Sequence, residues 1–306
     1  MQFSTTSVNV LILLLYAIPG YILVKSKAIK SESIASFAKV LLYICQPCLS
    51  VYSFQKVVYS AELIKNMGIF VGLNLGLMLF ILLVVYLTFR KKYEDNRYRV
   101  CTVATALGNV GFLGVPLLEA LLPEYPETIA YSAVFIVTMN ILSWTVASFI
   151  LTGDRRHVSV KKVFINPQVL SLIVSLPLFF TKTALATVLF NAVELLGKMT
   201  TPLCMLIAGM RFATADPKAL FTDWRIYFTA AVKLVCMPLI GFLLTNWLPI
   251  DYPIKAAMVI LCCCPTASVV LNLSEIYGKG QEIAANIVLT STLFSMATIP
   301  LVLLIL

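Results

Sequence analysis

Apolar runs of about twenty residues recur along the whole chain, each long enough to cross the roughly 30 Å of hydrocarbon in a bilayer. That recurrence leaves little choice of fold. Inside a membrane every backbone N–H and C=O needs a partner within the protein, and a run of this length meets the demand as a helix. The composition points the same way: 60% of the 306 residues are hydrophobic, 12% are charged, and the mean hydropathy is +0.95. A soluble domain carries about a quarter charged residues. The opening run, SVNVLILLLYAIPGYILV, has no basic residue ahead of it, unlike a cleaved signal peptide, and is read as a retained first span.

Hydropathy places ten spans at about 5–24, 33–54, 64–89, 98–122, 127–151, 166–181, 187–210, 226–248, 253–277 and 281–305. Alternate loops are basic. They carry Lys25, Lys27 and Lys30; then Arg90, Lys91, Lys92, Arg97 and Arg99; then Arg155, Arg156, Lys161 and Lys162; then Arg211, Lys218 and Arg225. The loop after span four instead holds Glu124 and Glu127. Basic loops stay in the cytoplasm, which puts both termini outside. The same rule accounts for the net charge of +9 without a nucleic-acid partner.

Ten spans divide into five and five, so the second half enters the membrane from the opposite side. Related halves would form two inverted five-helix repeats, residues 1–152 and 166–306, joined by a cytoplasmic linker at 153–165. Helix breakers fall in corresponding spans of the two halves. Span two has Pro47 and span seven Pro202. Span four has Gly108, Asn109, Gly111, Gly114 and Pro116, and span nine has Pro265. Glycine costs a helix interior about 1 kcal/mol and proline about 3. Discontinuous helices are tolerated at mid-membrane where they line a cavity. Gly108, Gly114, Pro116 and Pro265 are therefore assigned as helix-break positions. Isolated prolines and glycines at 19, 20, 47, 202 and 238 are read as kinks or packing contacts.

A broken helix leaves N–H groups free at the start of its second half, where the helix dipole is positive and attracts anions without a basic side chain. Asn109 adds an amide, and Thr266, Ser268 and Asn272 put small polar groups beside the second break. Two such ends crossing would bind a carboxylate. The candidate binding residues are Gly108, Asn109, Val110, Gly111, Pro265, Thr266, Ser268 and Asn272.

Other chemistry is sparse. The only histidine, His157, lies in a basic loop, and the CQPC pair at Cys45 and Cys48 has no histidine near it, so no metal or cofactor is expected. Cys262, Cys263 and Cys264 read as small packing residues. Glu194 and Lys198 are spaced to pair on one helix face. Most charges within spans fall near the ends, where they snorkel; Lys233 in span eight is the candidate for more. An enzyme would need a constellation at mid-membrane that the chain lacks.

The stretches ALGNVGFLGVPLLEALLPE, PLCMLIAGMRFA and CCPTASVVLNLSEIYGKGQEIAANIVLTSTLFSMATIPLVLLIL resemble the fourth, seventh and ninth-to-tenth spans of the auxin efflux carrier family, over the whole chain. The short loops are those of its bacterial, malate-permease-like members. The resemblance implies the fold of sodium/proton antiporters and bile acid symporters. Spans one, two, six and seven would form a scaffold and a homodimer interface. Spans three, four, five, eight, nine and ten would form a transport domain that moves as an elevator, with spans four and nine crossing as broken helices. Gly108 and Pro265 take the positions of the family's two crossing prolines. Three departures stand out: glycine at 108, Val269 where many bacterial relatives have asparagine, and a short central loop. They favour a small organic acid or amphipathic carboxylate over auxin. The expected function is carriage of an organic anion across the cell membrane. A sodium-coupled symporter of the bile acid type is the alternative, and a receptor or channel on the same fold is a further one.

Overall fold

A computed structural model describes residues 15–165, 167–214 and 222–306, together with Val8, Leu11 and Ile12. Most of the first half of span one lies outside the described residues. The rest is helical, and among the described residues β pairing is limited to one isolated bridge. In chain order the helices longer than six residues are α1 (Ala17–Lys25), α2 (Ser31–Lys56), α3 (Ala61–Lys92), α4 (Asn96–Ala104), α5 (Val110–Leu121), α6 (Thr128–Thr152), α7 (Pro167–Phe180), α8 (Thr187–Thr214), α9 (Trp224–Asn246), α10 (Tyr252–Cys262), α11 (Val269–Tyr277) and α12 (Gln281–Ile305). Six of these, α2, α3, α6, α8, α9 and α12, are long and apolar enough to cross a membrane unaided. The chain is a multi-pass membrane protein.

Two helix starts share one piece of local side-chain chemistry. Asp95 and Asp223 cap α4 and α9, each accepting from the backbone N–H and the side-chain Nε of the arginine two residues on. Asp154 repeats the device in the loop after α6. Arg225 also donates to Asp95 at 2.9 Å, which ties the start of α9 to the start of α4. The hydrogen bond from Arg97 holds the Asp95 carboxyl below the usual carboxylate range. Burial pushes the Asp223 carboxyl up, but its bonds to Arg225 outweigh this and leave it lowered. The Glu194–Lys198 pair closes at 2.7 Å on α8.

Three helices widen into a π turn just before a proline: Leu41–Cys45 before Pro47, Val110–Gly114 before Pro116, and Val232–Cys236 before Pro238. A proline ring clashes with the carbonyl four residues back and leaves it without a donor; a wider turn makes room for it. Gly114 and Pro116 consequently sit inside a helix that runs unbroken from Val110 to Leu121, and the chain leaves helical conformation before them, at 105–109.

The helices pack as two groups. α1 lies along α8, and α7 along α2, which also meets α8. Where α1 meets α8 the backbones touch: a Cβ on Gly209 would lie 1.8 Å from the Ala17 carbonyl oxygen, and one on Gly20 2.0 Å from that of Leu206. Small residues allow such approach in membranes. In the second group α3 packs on α6, α9 on α10 and α12, and α10 on α6. The deepest core runs along α10, where residues 256–264 are all buried.

Candidate functional site

Between α4 and α5, and again between α10 and α11, the chain leaves helical conformation through a tight turn, and the two segments meet side by side in one antiparallel contact. Gly108 and Thr266 form the one β bridge. The Asn109 N–H donates to the Pro265 carbonyl at 2.7 Å, and the Ala267 N–H to the Leu107 carbonyl at 2.9 Å. The pairing thus sets Gly108 against Thr266 and Asn109 against Pro265, one residue off a Gly108–Pro265 match. Thr266 is fully buried beneath the bridge. Its hydroxyl donates to the Ala104 carbonyl at 3.1 Å, and its N–H to Ser291 Oγ at 3.1 Å. Pro265 and Thr266 are therefore occupied in holding the crossing together.

Lys233 of α9 lies behind it, with no exposed surface. Its Nζ donates to the Cys262 carbonyl at 2.8 Å and to Met237 Sδ at 3.4 Å. Cys262 is the last residue of α10, so the amine meets the carbonyl end of that helix. Lys233 also accounts for Gly108: a Cβ there would come within 3.2 Å of Nζ.

In front of the bridge is a cavity of about 450 Å³, within the range of small-molecule sites. Gly108, Asn109, Val110, Gly111, Ser268 and Asn272 line it; Pro265 and Thr266 do not. At its floor the N–H groups of Gly111, Phe112, Ser268 and Val269 find no acceptor among the described residues, and neither does the Asn109 side-chain amide find a partner. These are the first residues of α5 and α11 and those just ahead of α11. Two helix starts thus present unpaired donors to one space.

The opposite wall comes from the first helix group: Ala38, Leu41 and Leu42 of α2, Pro167 of α7, and Cys204, Met205, Ala208, Arg211 and Phe212 of α8. Met139, Asn140 and Trp144 of α6 and Val288, Leu289 and Thr292 of α12 line it as well. Sequence reading took Arg211 for a loop residue. It lies within α8, and the positions 204, 205, 208, 211 and 212 have the spacing of a single helix face. That periodicity was the signal that could have found it.

A family model described as membrane transport protein matches residues 5–303. An uncharacterized transporter of Methanocaldococcus jannaschii is 25% identical, over 95% of this chain and 96% of its own length. With a family match that runs from the first predicted span to the last, the chain belongs to the membrane transport protein family, that of the auxin efflux carriers.

Proposed function

We propose that the protein is a secondary carrier that moves a small organic anion or carboxylate across the cell membrane, held where the segments 105–109 and 263–268 cross. The observation that carries this reading is the set of unpaired N–H donors at Gly111, Phe112, Ser268 and Val269, with the Asn109 amide, at the floor of one cavity. An oxyanion accepts several hydrogen bonds at once, and in a membrane cavity it needs them.

The ten-span reading, with inverted repeats at 1–152 and 166–306, is supported by the packing. α1 lies on α8 as α7 lies on α2, and α3 pairs with α6 as α9 pairs with α12. α1, α2, α7 and α8 would be the scaffold and homodimer interface; the other helices would be the elevator. The cavity lies between the two groups, where relative motion would carry the site across. By the basic loops the termini would lie outside and the Arg211 end of the cavity would face the cytoplasm.

Thermal-shift screening against carboxylates, at two pH values with and without sodium, identifies a ligand. Counterflow in proteoliposomes then tests transport. Asn109→Ala lowers affinity for that ligand at least tenfold while the purified protein stays monodisperse. Unchanged affinity and transport in that variant would remove Asn109 from the site.

A further inference from the structure

The crossing supplies only neutral donors, and the rest of the cavity is mostly apolar. Among the described residues that line it, Arg211 alone is charged. Its guanidinium makes no hydrogen bond and no ion pair among the described residues. Glu275 acts on it through space without closing to ion-pair distance. Arginine carries a rigid fork of donors that matches a carboxylate, and it seldom goes unpaired beside apolar walls. The same cavity is lined by Phe112, Trp144, Phe212 and Met205, which offer aromatic rings and a thioether to an apolar body.

We infer that Arg211 is a specificity-determining contact for the anionic group of the carried molecule, and that the molecule is an amphipathic carboxylate whose apolar or aromatic body lies against Phe112, Trp144 and Phe212. This rests on the carrier reading and sharpens its substrate class. A compact dicarboxylate would leave those apolar walls unused and would bring a second charge with no second cation to meet it. A neutral molecule of the same shape would leave the guanidinium desolvated and unpaired.

The test uses the full chain purified in detergent and titrated with three probes: 3-phenylpropionate, its amide and succinate. The wild-type protein binds the aryl acid at least tenfold tighter than either of the others. Arg211→Gln lowers affinity for the acid about tenfold and leaves the amide unchanged, whereas Arg211→Lys recovers part of the loss. Phe212→Ala weakens acid and amide alike. Size-exclusion profiles report that each variant is folded, and unchanged amide affinity does so independently for Arg211→Gln and Arg211→Lys.

An acid-to-amide ratio unchanged in Arg211→Gln overturns the assignment. Succinate binding tighter than the aryl acid, or no binding of the aryl acid at millimolar concentration, overturns the amphipathic class. Asn109→Ala in the same titration separates the two readings. If that variant loses binding and Arg211→Gln does not, the crossing site stands and the Arg211 inference falls. If wild-type protein does not distinguish acid from amide, both fall.

Discussion

At the seam between α1 and α8, an added Cβ on Gly209 or Gly20 would run into backbone carbonyls at 1.8 and 2.0 Å. At the crossing, an added Cβ on Gly108 would meet only the end of a lysine side chain, at 3.2 Å. The residue type is the same and the constraint is not. Backbone cannot yield without moving a whole helix, whereas a flexible side chain can swing by a few tenths of an ångström. A glycine in a membrane helix therefore says nothing by itself; what stands opposite decides how much it matters.

The largest effect that tests this contrast belongs to the seam. Gly209→Val forces α1 off α8 and costs more than about 3 kcal/mol, as severe overpacking does. The expected outcome is loss of a monodisperse peak on size exclusion; a variant that purified with wild-type melting would dissolve the comparison. Next comes the crossing. Gly108→Ala costs about 1 kcal/mol in wild-type protein, the low end of the range for overpacking. In a Lys233→Ala background the same change costs little, because the atom it would crowd is gone. A double-mutant cycle with no coupling energy would show that Lys233 is not what keeps residue 108 small.

The smallest effect lies at the cap shared by α4 and α9. The folded-state pKa of Asp95 is lowered, so its contribution is present above the unfolded value near 3.9 and is lost as pH falls through the lower folded value. Asp95→Asn reduces the melting temperature at pH 7 by an amount equivalent to less than about 1 kcal/mol. The difference from wild type closes as the pH falls through the lowered folded-state value. A difference that persisted there would mean that the carboxylate charge is not what links the two helix starts.

Much of the fold was legible because membrane helices announce themselves one at a time, by length and apolarity. The unusual residues themselves were legible too: the glycine at 108 and the proline at 265 fall where α4 and α10 have just ended. Their partners were not. Gly108 pairs with Thr266, and its size is set by Lys233, a residue 125 positions away in the chain. Composition carries no record of such contacts. Arg211 was misread for a different reason. A positive residue near the end of a span fits the rule that basic residues gather at the cytoplasmic face, and that rule hid a side chain on the cavity-lining face of α8. Pro116 was misread because a proline in a glycine-rich stretch looks like a break, while a widened turn can absorb it.

Those widened turns also correct phase. Along α9 the buried positions include Ile226, Ala230, Leu234, Pro238, Gly241 and Thr245. They recur nearly every fourth residue. A regular helix advances about 100° per residue, so a stripe spaced this way would wander round the cylinder by more than a quarter turn between Ile226 and Thr245. The π turn at Val232–Cys236 takes up an extra residue and brings the stripe back into line. It works as a frameshift in the helical repeat, so Lys233 behind the crossing and Gly241 against Leu77 and Cys262 share one side of a single rod.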